Sequence, residues 1–192
     1  MRLSGKRARR AGPGGTTMSD GPEIAGRRRV VTWSDPKALA AAGRGLAGID
    51  HLRAMMGGSL PPPPVMTLLG ITLGTVEEGL VRMQLQAAEY LYNPIGTVHG
   101  GILATILDSV MGCAVHSTLP AGRGYTTLEI KVNYLRAVTD AVGLVTAEGR
   151  AVHVGRTTGV ADARLFDEAG RLYATASTTC LVFDIPVEKR TP

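Results

Sequence analysis

The residue types best suited to chemistry fall in one stretch, Asn93-Pro94-Ile95-Gly96-Thr97-Val98-His99-Gly100-Gly101, and in Asp108 shortly after it. Gly100 and Gly101 open a long apolar run, Ile102 to Ser117, whose Ile102, Leu103, Ile106, Leu107, Val110, Met111 and Val115 leave almost no polar face. A helix apolar nearly all round is a buried one. The first amides of such a helix have no carbonyl one turn back and sit at the positive end of its macrodipole. They are suited to an oxyanion, and glycine, with no Cβ, lets a carbonyl come close.

Asp108 is the second anomaly. A carboxylate among Ile106, Leu107, Val110 and Met111 is costly to bury unless something compensates it. It is either a structural hydrogen-bond partner of a neighbouring strand or a reacting group, and we read it as the latter. Eight residues separate it from Gly100, about 12 Å along a helix rising ~1.5 Å per residue. One carbonyl cannot touch both on the same helix. If they cooperate, a second protomer brings its Asp108 beside this Gly100, and a two-fold axis makes two such sites.

The elements that must hold these residues are legible as a pattern. Ser34 or Asp35 can cap a helix with Pro36 in its first turn. Leu39, Leu46, Ile49, Leu52 and Met56 then recur at helical spacing to Gly57-Gly58. Pro61 to Pro64 form a stiff, extended connector. Residues 67–73 are apolar and strand-like, a turn is expected over Gly74 to Gly79, and Val81 to Gln86 alternate with period two. Residues 125–135 alternate as well, with Leu128, Ile130, Val132 and Tyr134 on one face and Glu129, Lys131 and Asn133 on the other. Further strands are expected near 142–153, 157–166 and 171–183, the last two joined by an Asp167-Gly170 turn. Two strands, a buried helix and four strands predict an α+β fold, an antiparallel sheet wrapped around one long helix. The expected organisation is a disordered basic arm (1–33), a helical lead-in (34–59), the main domain (60–186) and a short tail (187–192).

Composition narrows the function. The 192 residues are 44% hydrophobic and 19% charged, with a net charge of +5. Residues 1–29 hold eight basic and two acidic side chains, and the other 163 residues hold 13 and 14, so the body is nearly neutral and nucleic acid is not its expected partner. The first 17 residues are expected to be an upstream-start artefact, Met18 opening an alternative start. Cys113 and Cys180 cannot build a disulfide framework, which fits a reducing cytoplasm. No run approaches the ~20 apolar residues of a membrane span. Cys113 and His116 lie three apart without further ligands at zinc-like spacing, so no metal site is expected. A Gly-x-Ser-x-Gly elbow is absent. Tyr90, Leu91 and Tyr92 either line a pocket or pack in the core or a dimer interface.

Asn-x-x-Gly-x-x-His-Gly-Gly with an Asp nine residues after the His resembles the hotdog-fold acyl-CoA thioesterases, specifically the phenylacetate-pathway (PaaI-like) group. The resemblance runs from about residue 45 to 184. It includes the Leu60-Pro64 lead-in, the Glu129-Arg136 strand and the Val152-Arg156 segment. It implies that the Gly100 N–H polarises a thioester carbonyl, that Asn93 helps position carbonyl or water, and that the partner's Asp108 acts as general base or nucleophile. Thr127 matches a family Ser or Thr whose hydroxyl holds the attacking water. His99 would orient the loop more than transfer protons. An ordinary aspartate, with a pKa of ~3.9, is a weak base, so Asp108 needs either partial desolvation or a nucleophilic role.

For coenzyme A the resemblance points to Tyr134, Leu135 and Arg136, and to His153, Gly155, Arg156 and Thr157. Gly155 would admit the pantetheine arm; Arg156 would meet a phosphate or be a solvated strand-end charge. Ala137 stands where many relatives carry proline, which affects a local turn. The implied activity is hydrolysis of an aryl or short- to medium-chain acyl-CoA. No separate cofactor is expected, coenzyme A being part of the substrate. A homodimer would be required for the site, with dimers pairing into a homotetramer. The alternatives are a hotdog dehydratase or hydratase and a non-catalytic acyl-CoA sensor.

Overall fold

The computed structural model describes residues 26–185. Most of the basic arm and the tail expected at 187–192 lie outside the described residues. The chain divides into one unit ending at Val30 and a second beginning at Val31. Residues 26–30 of the first carry no helix or strand. Every helix and strand among the described residues belongs to the second. No helix among them is long and apolar enough to cross a membrane.

The lead-in is two helices rather than the single one expected. Helix α1 spans Pro36–Gly43, capped by Asp35, whose carboxylate accepts from Lys37 N at 2.9 Å, and it buries nothing. Helix α2, Gly48–Met56, follows after a break and buries Leu52. The break has a physical reason. Gly43 and Gly45 are poor helix formers, and Gly48 must sit against the end of the central helix. Its N–H donates to Leu119 O at 2.9 Å, and a Cβ there would lie 1.8 Å from His116 O.

The apolar stretch expected as one strand also divides. Pro64–Leu69 is a short helix α3 with proline at its start, ended by Gly70 in the left-handed conformation at φ 78°. Strand β1 is Ile71–Glu77 and β2 is Leu80–Gln86. The turn is therefore confined to Glu78-Gly79, and Gly74 lies inside β1, where the pairing with β2 slips between Leu73 and Thr75.

Helix α4, Gly100–His116, is the long central helix. After it come β3 (Arg123–Tyr134), β4 (Leu144–Val154), β5 (Thr158–Asp167) and β6 (Leu172–Asp184). All pairings are antiparallel, in the order β1-β2-β4-β5-β6-β3, giving the α+β architecture expected. The sheet curls around α4, whose Ile106, Leu107, Val110, Met111 and Val115 are fully buried against Val81, Met83, Val145 and Leu165. At Gly149 the helix lies so near that a Cβ would come within 2.5 Å of Val110 O. Only glycine admits that approach.

Strand β3 closes the order at one edge, so one of its sides has no pairing partner among the described residues. Its alternation is broken by a bulge between Thr127 and Glu129. Ile130, Val132 and Tyr134 stand opposite Thr178, Ala176 and Ala174 of β6, while Thr127 stands opposite Cys180. Strict alternation would group Thr127 with Glu129 on the outer face. The extra residue, Leu128, resets the phase and brings Thr127 onto the row that faces α4. Leu128 itself is 62% exposed, and the slip takes it off the face it was expected to share with Ile130, Val132 and Tyr134.

Candidate active site

The segment before α4 is folded by its own polar groups. Asn93 Oδ1 accepts from the amides of Ile95 and Thr97 at 3.1 and 3.2 Å, and its Nδ2 donates to Thr97 Oγ1 at 2.9 Å. Gly96 takes a left-handed φ of 80° to close the turn. Val98 N donates to Val138 O at 2.8 Å, which ties the loop to the segment after β3. Asparagine suits this place because its short amide mimics a backbone turn. One amide hydrogen of Asn93 remains for another acceptor.

His99 is the N-cap of α4. Its Nδ1 accepts from Gly101 N at 2.9 Å, so the neutral ring carries its proton on Nε2. The sequence placed both glycine amides free for an oxyanion. Gly101 is instead taken by the cap, and Gly100 N–H has no acceptor among the described residues. Tyr134 Oη donates to Gly100 O at 2.7 Å, and a Cβ at Gly100 would press on its ring at 3.2 Å. The glycine thus has its carbonyl held, its side-chain space closed and its N–H open.

Gly100 borders a cleft of about 300 Å³, together with Asn93, Leu103, Tyr134, Leu135 and Arg136. Five of the expected site residues are thereby brought to one place. Arg136 Nη1 is bound at Leu172 O at 2.5 Å, which orients its guanidinium along the cleft wall. Val138, which also lines the cleft, was not singled out by sequence; its place comes from backbone pairing with Val98 across the loop and carries no motif.

Asp108 and Thr127 form a second place. Thr127 Oγ1 donates to Asp108 Oδ1 at 2.8 Å. Asp108 is half-buried, not enclosed, and among the described residues no cation pairs with it. Neither residue lines the Gly100 cleft. The remaining expected contacts are elsewhere again. Gly155, Arg156 and Thr157 make the turn between β4 and β5, where Gly155 N donates to Thr158 O at 2.8 Å and Thr157 O accepts from Val182 N at 2.9 Å. Arg156 is exposed, and its carbonyl accepts from Arg123. His153 borders a different cleft, of about 490 Å³, with Glu78, Thr118 and Val152. Of the aromatic approach to Asn93, Leu91 belongs to the core, Tyr92 Oη bonds Asp140 Oδ1 at 2.8 Å, and Tyr90 is 48% exposed.

A capped helix with one open amide offers a donor to an acyl oxygen, and the comparisons with known proteins give the class of protein. Residues 95–174 match the family described as the thioesterase superfamily. A phenylacetic acid degradation-related protein of Ralstonia eutropha JMP134 is 31% identical, with 68% of this chain and 98% of that one covered and a TM-score of 0.62. The 1,4-dihydroxy-2-naphthoyl-CoA hydrolase of Listeria monocytogenes is 29% identical over 114 residues, 59% of this chain and 91% of its own length. The PaaI protein of Escherichia coli, 20% identical, shares the fold over 73% of this chain and 99% of its own, with a TM-score of 0.63. The chain belongs to the thioesterase superfamily. It is a PaaI-like hotdog protein and a thioester hydrolase.

Proposed function

We propose that this protein hydrolyses acyl-CoA thioesters at sites shared between two copies of the chain. The carrying observation is the division of the site: the cleft at Gly100 offers an open amide but no carboxylate, and the carboxylate on the same helix lies ~12 Å further along. The thioester carbonyl oxygen would accept from Gly100 N–H in one protomer. Asp108 of the other would activate the attacking water, or attack directly, with Thr127 Oγ1 orienting the carboxylate and the water. Asn93 would present its remaining amide hydrogen to carbonyl or water, and His99 would serve by capping α4. Preorganised donors aimed at an oxyanion are worth about 3 kcal/mol of barrier each.

The pairing of copies is supported by β3. It is a long edge strand of 12 residues, unpaired on one side among the described residues, with Leu128 62% exposed and Ile130 36% exposed. Such edges call for cover. Two β3 strands joined about a two-fold axis would bury both residues and extend the sheet, in keeping with a homodimer. Coenzyme A would enter as part of the substrate, with Tyr134, Leu135 and Arg136 beside its thioester end and the His153-to-Thr157 turn towards its phosphates. The Listeria relative's naphthoyl-CoA supports an aryl acyl group over a long alkyl one.

Complementation tests the shared site. Gly100→Pro removes the amide hydrogen; its backbone is accepted at the first helical position, while its ring must move Tyr134 by a few tenths of an ångström, and Asp108→Asn removes the base. Each variant alone is expected to be inactive. After mixing through reversible dissociation, about half the dimers are hybrids with one intact site of two, restoring roughly a quarter of wild-type activity. No recovery in hybrids that demonstrably form means the site lies within one chain.

A further inference from the structure

The outer face of the sheet, away from α4, carries a charged cluster that the hydrolytic site does not use. Cross-strand partners run Thr75, Arg82, Glu148, Arg164, Thr175 across β1, β2, β4, β5 and β6. Glu148 is only 2% exposed. Arg82 Nε lies 2.6 Å from its Oε2, while Arg150 Nε and Arg164 Nη2 lie 3.1 and 3.0 Å from its Oε1. A carboxylate with about four lone-pair sites is satisfied by two guanidiniums. The third leaves a surplus, and the cluster keeps two net positive charges. The three arginine side chains are 43%, 59% and 56% exposed, and Nη1 of Arg82 and of Arg164 has no acceptor among the described residues.

Arg82 and Arg164 share a cleft of about 440 Å³ with Thr75, Gln84, Thr146 and Phe166. Among the described residues no carboxylate lines it; Arg150 and the acidic Asp162 border a second cleft, which Glu148 and Arg164 also line. The Arg164 guanidinium lies 5.3 Å from the centre of the Phe166 ring, a cation–π contact that fixes its plane. The floor is shaped by the slip in β1 at Gly74, where a Cβ would reach within 3.8 Å of the Gln84 amide. Bulges of this kind recur where a strand is re-aimed at a ligand.

We propose that this cleft is an oxyanion site that takes the phosphate of a phosphorylated small molecule. Arg82 and Arg164 clamp the phosphate from two sides. Thr75, Thr146 and Gln84 supply neutral donors, and Glu148 anchors the guanidiniums so that their outer edges are already in place. Planar guanidinium forks matched to phosphate are the strong form of such contacts.

The test is titration of the full chain with pyrophosphate, followed by calorimetry and by the 15N signals of the arginine Nε–H groups. Saturable binding at one site per chain is expected, moving the Arg82 and Arg164 signals. Arg164→Gln should weaken binding roughly tenfold, while Arg150→Gln, outside the cleft, should change it by about twofold at most. Two guanidiniums remain on Glu148 in Arg164→Gln, and the wild-type spectral shifts need no variant to fold. Displacement of pyrophosphate by coenzyme A but not by pantetheine assigns the site to the nucleotide end of the substrate. Displacement by neither assigns it to a separate phosphorylated molecule. Absence of saturable binding at low salt, or equal binding by Arg164→Gln, overturns the proposal.

Discussion

Asp108 and Glu148 are both carboxylates set into the body of the same domain, and their surroundings differ in kind. Glu148 is enclosed and met by three guanidiniums from β2, β4 and β5. Asp108 is half-buried and met by one neutral hydroxyl, that of Thr127. A fully compensated carboxylate has no capacity left for a proton or an electrophile. One held by a single hydroxyl keeps its second oxygen available. The contrast separates an anchor from a reacting group within one fold.

Replacing each carboxylate by its amide should therefore break different things. Asp108→Asn is expected to lower kcat by about 10³-fold, the range for a lost general base or nucleophile, roughly 4 kcal/mol of barrier. Its thermal transition should stay within a few degrees of wild type. Steady-state hydrolysis followed by thiol release, beside a thermal melt, checks both; a variant as fast as wild type removes Asp108 from the mechanism.

Glu148→Gln is expected to do the reverse, costing about 2 kcal/mol of stability with kcat nearly unchanged. The value is below the ~3–5 kcal/mol typical of a broken buried pair, because the three guanidiniums are partly in water and can relax into it. Denaturant unfolding measures it. A loss of kcat as large as that of Asp108→Asn, in a folded protein, would erase the distinction between the two sites.

These two carboxylates also show how far the sequence reaches. Asp108 stands out because its neighbours in the chain are apolar, and the Asn93-to-Gly101 loop because its polar and glycine residues are contiguous. Both are local signals. Glu148 sits in Glu148-Gly149-Arg150, which alternates like any strand with one wet face. Its partners Arg82 and Arg164 lie 66 and 16 residues away and meet it only through sheet register. The bulge that turns Thr127 towards Asp108 is likewise set by pairing with β6, not by residue type. The break between α1 and α2 and the capture of the Gly101 amide by His99 are tertiary and side-chain events that periodicity does not contain. Strand number and the central helix needed only alternation and an unbroken apolar run.

Thr127→Val sharpens the comparison on the Asp108 side. It keeps the branched shape on β3 and deletes the hydroxyl that holds Oδ1 at 2.8 Å. A fall in kcat of about tenfold is expected, near 1.4 kcal/mol, with KM little changed. Thr127→Ser should restore most of it. Full activity in Thr127→Val, with the loss appearing in Thr127→Ser instead, would mean that the methyl, through packing, matters rather than the hydroxyl.

The smallest effect is in the pH dependence of stability, where Glu148 has a neighbour in behaviour though not in space. Burial by itself would raise the Glu148 pKa. Hydrogen bonds from Arg82 and Arg150, with the charges of Arg164 and Arg82, outweigh it and hold the carboxyl below the ordinary glutamate value of 4.5. A depressed acid contributes stability above its unfolded pKa and loses it as pH falls through the folded one, so this contribution fades below about pH 4.5. His116, packed 5.6 Å from His51 between ring centroids, is pushed down from 6.5 to about 4 by burial and then by the charge of His51. The unfolded chain binds that proton first, so stability falls between pH 6.5 and about 4 and flattens beneath it. Denaturant unfolding from pH 7 to 3 should thus show two successive declines. His116→Gln is expected to shrink the upper one, to which His51, also lowered by burial, contributes, and Glu148→Gln the lower one, which Asp167, held down first by the Arg171 backbone N–H, shares. A lower decline left unchanged in size by Glu148→Gln would show that the three guanidiniums do not hold the carboxylate ionised, and the contrast with Asp108 would lose its electrostatic basis.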